Sequence, residues 1–186
     1  SRIMPHVVKN VGGFRIGLVG LTTPGLSYWL RPELLSGFEA TAPADALRAS
    51  VRYLREEAKV DAVVVCGHMG LREVDDFANP VQALLELEDG PDVYLAGHTH
   101  RDHPSRFVNG TLYTQADYFG IHCGRVDLSF DLESRHIVEK RAQSILMDER
   151  IPEDPLVIAA ASEDLEDAEG YLLSLIHISE PTRRIL

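Results

Sequence analysis

Two apolar runs in this chain, Ala62-Val63-Val64-Val65-Cys66 and Val93-Tyr94-Leu95-Ala96, end in the same way: Gly67-His68-Met69-Gly70 closes the first and Gly97-His98-Thr99-His100 the second. Short apolar runs bounded by glycine read as strands buried on both faces, the kind that parallel sheets use. Between them, near Pro80 to Leu87, lies a segment with helical character. The same alternation extends upstream. Phe14 to Leu21 reads FRIGLVGL and runs into Thr22-Thr23-Pro24-Gly25, a strand entering a turn, with His6 to Lys9 as its expected hairpin partner. Ala44 to Glu57 puts Ala46, Leu47, Val51 and Leu54 at helical spacing, with Asp45 in the first turn where negative charge suits the helix dipole. Strands alternating with helices in this order predict parallel strands joined by crossover helices. Ser27 to Ala40, which holds Trp29 and little periodicity, is expected to be a loop that covers the strand ends.

Beyond His103 the pattern changes to short strands divided by turns: Arg106 to Val108, Thr111 to Gln115, Gly124 to Phe130 and Ile137 to Ile145. Asn109-Gly110 is a hairpin signal, because both residues tolerate the positive φ that a tight two-residue turn needs. The predicted fold class is therefore α/β, parallel βαβ units followed by an antiparallel meander, giving two packed sheets with helices outside. With 186 residues at 45% hydrophobic content, the chain can bury one substantial core. Residues 1–147 form that domain in this reading. Residues 148–172, acidic and opened by Pro152 and Pro155, are expected to be a linker and helix leading toward a further domain. Residues 173–186 contain LSLIHISEPTR, which resembles one reading frame of a transposase-end adaptor; on that reading the natural sequence stops near Leu172 and His177 is no ligand. The chain does not begin with methionine and is expected to be a fragment at both ends.

His68, His98 and His100 are the candidate metal ligands. Imidazoles delivered at the ends of strands suit zinc, manganese or iron, and a His-x-His spacing lets two side chains of one loop approach neighbouring ions. A lone strand-end histidine is an ordinary surface residue, but Gly67 and Gly97 each allow a sharp turn or close backbone approach, and the design occurs twice. Asp102 is a candidate to accept the second N–H of a ligating imidazole, with a turn cap as its plain alternative and His103 expected to be exposed. Tyr118 and Phe119 either line a substrate site or pack in the core. Cys66 and Cys123 lie in apolar segments, where a buried free thiol is the expectation and a disulfide remains open. A net charge of −11 argues against duplex nucleic acid as partner and leaves small phosphorylated molecules, whose charge divalent cations would balance. No apolar stretch reaches the roughly 20 residues that a bilayer-spanning helix requires.

Gly67-His68-Met69-Gly70 followed by Gly97-His98-Thr99-His100 resembles the last two metal motifs of the calcineurin-like metallophosphoesterases. Val11 to Pro24 is similar to the segment preceding those motifs in the branch of 5'-nucleotidases and 2',3'-cyclic-nucleotide phosphodiesterases, and Gln115-Ala116, Gly120 and Gly124 to Leu128 are similar to the strands that follow. The resemblance spans roughly residues 5 to 147 and implies the C-terminal half of an αββα sandwich. It implies two divalent metal ions (zinc, manganese or iron), with His68 and His98 on one and His100 on the other. The Asp-x-His, Gly-Asp-x-x-Asp and Gly-Asn-His motifs, which carry the remaining ligands and the catalytic histidine, are absent here. No catalytic residue is therefore expected within the chain. A nucleotide or related phosphate ester is the implied substrate, the nucleoside being read by a C-terminal domain that the chain lacks, and export to the periplasm or cell surface is the implied location. Two rivals remain. His98-Thr99-His100-Arg101-Asp102-His103 also matches the His-x-His-x-Asp-His motif of the metallo-β-lactamase fold, and a parent without upstream carboxylates would be a non-catalytic phosphoesterase-like scaffold.

Overall fold

The computed structural model describes residues 4–179 and divides the chain into two units, split between Met147 and Asp148. The first unit is built on a six-stranded mixed sheet and a separate two-stranded one. Strands β1 (His6–Val11) and β2 (Phe14–Thr22) form a hairpin whose two-residue turn, Gly12-Gly13, has φ of +56° and +87°, a conformation that glycine reaches without strain. β3 (Ala62–His68) and β4 (Val93–Ala96) lie parallel to β2 in succession. The crossovers are helices α2 (Pro43–Glu56) and α3 (Val81–Leu85), while α1 (Leu26–Trp29) and a 3-10 turn at Pro32–Leu35 occupy the segment expected to be irregular. The order of strands along the large sheet is completed by β6 (Thr111–Ala116), parallel to β4, and by β5 (Asp102–Val108) on the edge.

The apolar patterns in the sequence explain the core. α2 has proline at its first turn, Asp45 near its positive end and Arg55 near its negative end, and buries Leu47, Ser50, Val51 and Leu54. This stripe packs with Val19, Val63, Val65 and Tyr94 of the sheet, and α3 adds Val81, Leu84 and Leu85. Gly17 lets α2 approach: a Cβ there would lie 2.8 Å from Leu54 Cδ1. α3 lacks a cap from its own first residue and takes one from Asp75, whose carboxylate accepts from the Gln82 and Ala83 N–H groups at 3.0 and 2.9 Å.

The segment expected as one meander divides in two. β5 and β6 pair antiparallel across Asn109-Gly110, at φ +46° and +81°, but β6 joins the main sheet beside β4 and so continues its parallel series. β7 (His122–Phe130) and β8 (Ile137–Leu146) form the second sheet. A bidentate pair ties its turn to the first: Arg135 donates to both Asp61 oxygens at 2.8 and 2.6 Å and lies 4.8 Å over the Phe14 ring. That guanidinium, with the Arg15 N–H, holds the Asp61 carboxyl below its usual range against the opposing effect of burial.

Both cysteines are free and exposed, which corrects the expectation of buried thiols. Along β3 the buried residues Val63, Val65 and Gly67 alternate with Val64, Cys66 and His68, so Cys66 shares the face turned away from the helices. The second unit is described through α4 (Pro155–Ser179), whose described side chains are exposed apart from a partly buried Ala161. Of the adaptor-like residues 173–186, residues 180–186 and the side chain of His177 lie outside the described residues. Among the described residues no helix is long and apolar enough to cross a membrane.

Candidate metal centre

Four parallel strands end along one edge of the sheet, and the residues singled out from sequence gather there. The register pairs Thr22 with His68, Gly67 with Ala96, and Ala96 with Gln115, so the segments following β2, β3, β4 and β6 leave the sheet side by side. This is the edge at which open α/β sheets place ligands. The two Gly-His strand ends are joined directly, the Gly97 N–H donating to the Gly67 carbonyl at 3.1 Å.

The glycines serve different purposes. A Cβ on Gly67 would collide with the hydroxyl and ring of Tyr94, a fully buried side chain on the neighbouring strand. On Gly97 it would meet His68 Nδ1 at 3.7 Å and the Gly67 carbonyl at 4.0 Å, both ordinary contacts. Close approach thus explains the first glycine and not the second.

After Gly97 the chain turns sharply, with the Thr99 N–H donating to the Gly97 carbonyl at 2.9 Å and both flanking histidines in the left-handed region: His98 at φ +73° and His100 at φ +52°. Non-glycine residues held there store backbone strain, a feature concentrated at functional sites. The His68 and His98 rings lie 5.0 Å apart between centroids, and Trp29, on α1, lies 5.1 Å from His98. On the other side of the turn Tyr118 stacks on His100 at 5.3 Å, with Phe119 at 6.0 Å. Neither aromatic residue is in the core, since Tyr118 is 38% and Phe119 89% exposed. Asp117 and Phe119 also carry positive φ, so the segment after β6 bends back over the same edge.

Burial, reinforced by His68, Arg72 and His100 and only partly offset by Asp76, pushes the His98 imidazole below its usual pKa and so favours the neutral form that binds metals. Two adjacent imidazoles, one of them held neutral, fit part of the ligand set of a borderline divalent cation. They do not make a whole one. Among the described residues no group of three or more His, Cys, Asp or Glu is placed to hold an ion.

Asp102 begins β5, is exposed, and pairs with Ala116 through the backbone; among the described residues no imidazole donates to it. Its charge acts instead on His103, which is half-buried against Tyr113 rather than exposed as expected. Burial and the nearby Arg101 and Arg106 push His103 below its usual pKa despite Asp102. Between the depressed native values of His98 and His103 and the ordinary 6.5, the unfolded chain binds more protons than the native one, so stability is complete above about 6.5 and falls as the pH is lowered through that window. Urea midpoints measured from about pH 7 to 5.5 should therefore decline, and His98→Gln with His103→Gln should flatten the decline; an unchanged slope in the double variant contradicts the assignment.

Sequence reasoning missed the polar residues that support this edge: Asn79, whose Oδ1 accepts from the Gly70 N–H at 3.3 Å; Tyr113, whose hydroxyl accepts from the Leu71 N–H at 3.0 Å; and the buried Gln115. The available signal was a glutamine at the end of a short strand rich in Thr, Leu and Tyr, since a buried polar residue is the informative exception.

A scan against models of known protein families matches none. Individual proteins do match. Endonuclease YhcR of Bacillus subtilis (strain 168) is 28% identical over 169 residues, covering 90% of this chain and 14% of that protein. The snake venom 5'-nucleotidase of Naja atra is 25% identical over 194 residues, covering 91% of this chain and 34% of that protein. The homologues of this chain are 5'-nucleotidases and metallophosphoesterases. The fold agrees: the solved structure of the calcineurin-like phosphoesterase YfkN from B. subtilis superposes with a TM-score of 0.80 over 92% of this chain and 59% of that one, at 16% identity. The metallo-β-lactamase alternative loses its support in this fold. It leaves Gly67-His68 without a role, and of the further groups it requires, His122 starts β7, His136 lies in the turn before β8, and Asp127 is exposed and paired with Arg125. The chain spans only the stated fractions of the curated relatives' lengths.

Proposed function

We propose that this chain is part of a phosphoesterase domain that hydrolyses a small phosphorylated substrate, a nucleotide foremost, and that His68, His98 and His100 are ligands of its two divalent metal ions. The observation that carries the proposal is the convergence of both Gly-His strand ends on one sheet edge, with the His68 and His98 rings 5.0 Å apart, in a chain whose homologues are nucleotidases and phosphoesterases. His68 and His98 share one ion and His100 serves the other. When bound, such ions supply Lewis-acid activation of water and positive charge for the phosphoryl group. The chain itself is acidic and cannot provide that charge. Its own contributions are the His68 imidazole at the end of β3, the His98 and His100 imidazoles set by a left-handed turn and, in Tyr118 and Phe119, an exposed aromatic surface beside His100 against which a planar substrate group can rest. The remaining ligands, the catalytic group and the recognition of the nucleoside are assigned to protein outside these 186 residues. A periplasmic or cell-surface location belongs to the same proposal, with the venom nucleotidase in its support.

Titration of the chain with zinc, followed through the imidazole nitrogen resonances, tests the ligand assignment. The expected result is weak binding that shifts His68, His98 and His100 together while His103, His122 and His136 stay in place. Shifts confined to the latter group, or none at all, contradict it.

A further inference from the structure

We infer that Gln115 is the positioning residue of the His98-Thr99-His100 turn, its buried side-chain amide holding the backbone that presents both imidazoles. The inference rests on the ligand reading above for its consequence, not for its geometry. Gln115 is 2% exposed, near the end of β6. With its amide one way round, the NH2 group would face the His100 and Arg101 N–H groups, donor against donor. The other way, its oxygen accepts from His100 N–H and Arg101 N–H, both at 3.1 Å, and its nitrogen donates to the Tyr113 hydroxyl at 2.8 Å and to Thr99 Oγ1 at 2.9 Å. Only this second orientation satisfies a buried amide.

The side chain thus does for residues 100 and 101 what a neighbouring strand's carbonyl would do in a ladder. Two consecutive N–H groups at a turn with positive φ would otherwise have no carbonyl to meet, and an unmade buried hydrogen bond is more costly than a made one is favourable. The same network reaches the other Gly-His end. Tyr113 passes from Gln115 to the Leu71 N–H, and Gly70 leaves the room: a Cβ there would run into Thr99 Oγ1, lie 2.5 Å from the Gln115 amide and 2.8 Å from the Gly97 carbonyl. His68 and His98 are therefore set relative to one another by a single cluster of the buried Gln115, Tyr113 and Gly70 with the half-buried Thr99. Gln115 touches no substrate in this arrangement; it acts through the turn.

The test compares the 186-residue chain with Gln115→Met, which keeps size and loses every polar contact, and Gln115→Glu, which keeps an acceptor that Tyr113 and Thr99 can also donate to. Amide hydrogen exchange is read at His100 and Arg101 against Val63 and Val65 of the core, and zinc affinity is read on the same samples. Expected are exchange at His100 and Arg101 at least about tenfold faster in Gln115→Met with Val63 and Val65 within about twofold, zinc binding weakened at least about tenfold, and recovery of both in Gln115→Glu; tenfold corresponds to about 1.4 kcal/mol, within the usual cost of an unsatisfied buried group. Exchange that rises equally at Val63 and Val65 overturns the inference by showing general loosening, and so does local loosening with unchanged zinc affinity. A wild-type chain that binds no zinc refutes the ligand reading instead, and the exchange pattern still decides whether Gln115 holds the turn.

Discussion

Gly67→Ala is expected to destabilise the chain by about 3 kcal/mol, at the upper end of what overpacking a closed core costs. The added methyl would overlap the Tyr94 hydroxyl and stand 2.5 Å from its ring carbon Cζ. Tyr94 cannot move aside, since it is fully buried and stacked at 5.9 Å on Tyr113, itself buried. The strand cannot retreat either, because Gly67 is paired with Ala96 and its carbonyl receives the Gly97 N–H. Gly97→Ala provides the control: there the methyl has ordinary space and no left-handed φ to relieve, so a change within about 0.5 kcal/mol is expected. Tyr94→Phe should relieve part of the Gly67→Ala penalty by removing the atom in closest conflict. Alone it should be neutral or stabilising, because the Tyr94 hydroxyl makes no hydrogen bond among the described residues. Urea unfolding of the four variants gives the comparison, and equal losses for the two glycines would refute the distinction.

That pair of glycines also shows how far the sequence could be read. The strands were legible because their residues carry the period of their burial: FRIGLVGL and AVVVC have few polar interruptions, and each ends where glycine or proline intervenes. Asn109-Gly110 announced its hairpin for a steric reason, positive φ at both residues, and the structure uses it so. The Gly-His repeat located the sheet edge from the sequence alone. What it could not show is partner-dependent. Whether a glycine faces the Tyr94 ring or has ordinary room depends on the strand alongside, here on β3 pairing with β4, which no local pattern around Gly67 specifies. Cys66 misled for the same reason: an apolar neighbourhood in sequence says nothing of which sheet face a helix covers. Tyr118 and Phe119 follow a buried strand, yet positive φ at Asp117 and Phe119 turns them outward. Gln115 was visible as an oddity in a strand, but its partners, the N–H groups of His100 and Arg101, lie across the sheet edge in a turn with no repeating pattern.

The second large effect concerns activity. In the polypeptide that carries this chain in its source gene, His98→Ala and His100→Ala are each expected to lower the hydrolysis of a nucleoside 5'-monophosphate by at least about a hundredfold, about 2.7 kcal/mol of transition-state stabilisation. Each removes an imidazole from a turn that has no adjacent donor to replace it, since among the described residues no third His, Cys, Asp or Glu completes a group with them. The 186-residue chain alone should turn over substrate no faster than its own His98→Ala, His100→Ala double variant, because on the proposed assignment it supplies three ligands of a larger set.

The rate of phosphate release from a nucleoside 5'-monophosphate by the source-gene polypeptide, with and without added divalent metal, is the most direct test of the whole account. Metal-dependent turnover that His98→Ala and His100→Ala each lower by at least about a hundredfold is the predicted result. Turnover indifferent to both substitutions, or none from the unaltered polypeptide at any metal concentration, would contradict it and leave this sheet edge as the remnant of a site in a non-catalytic scaffold.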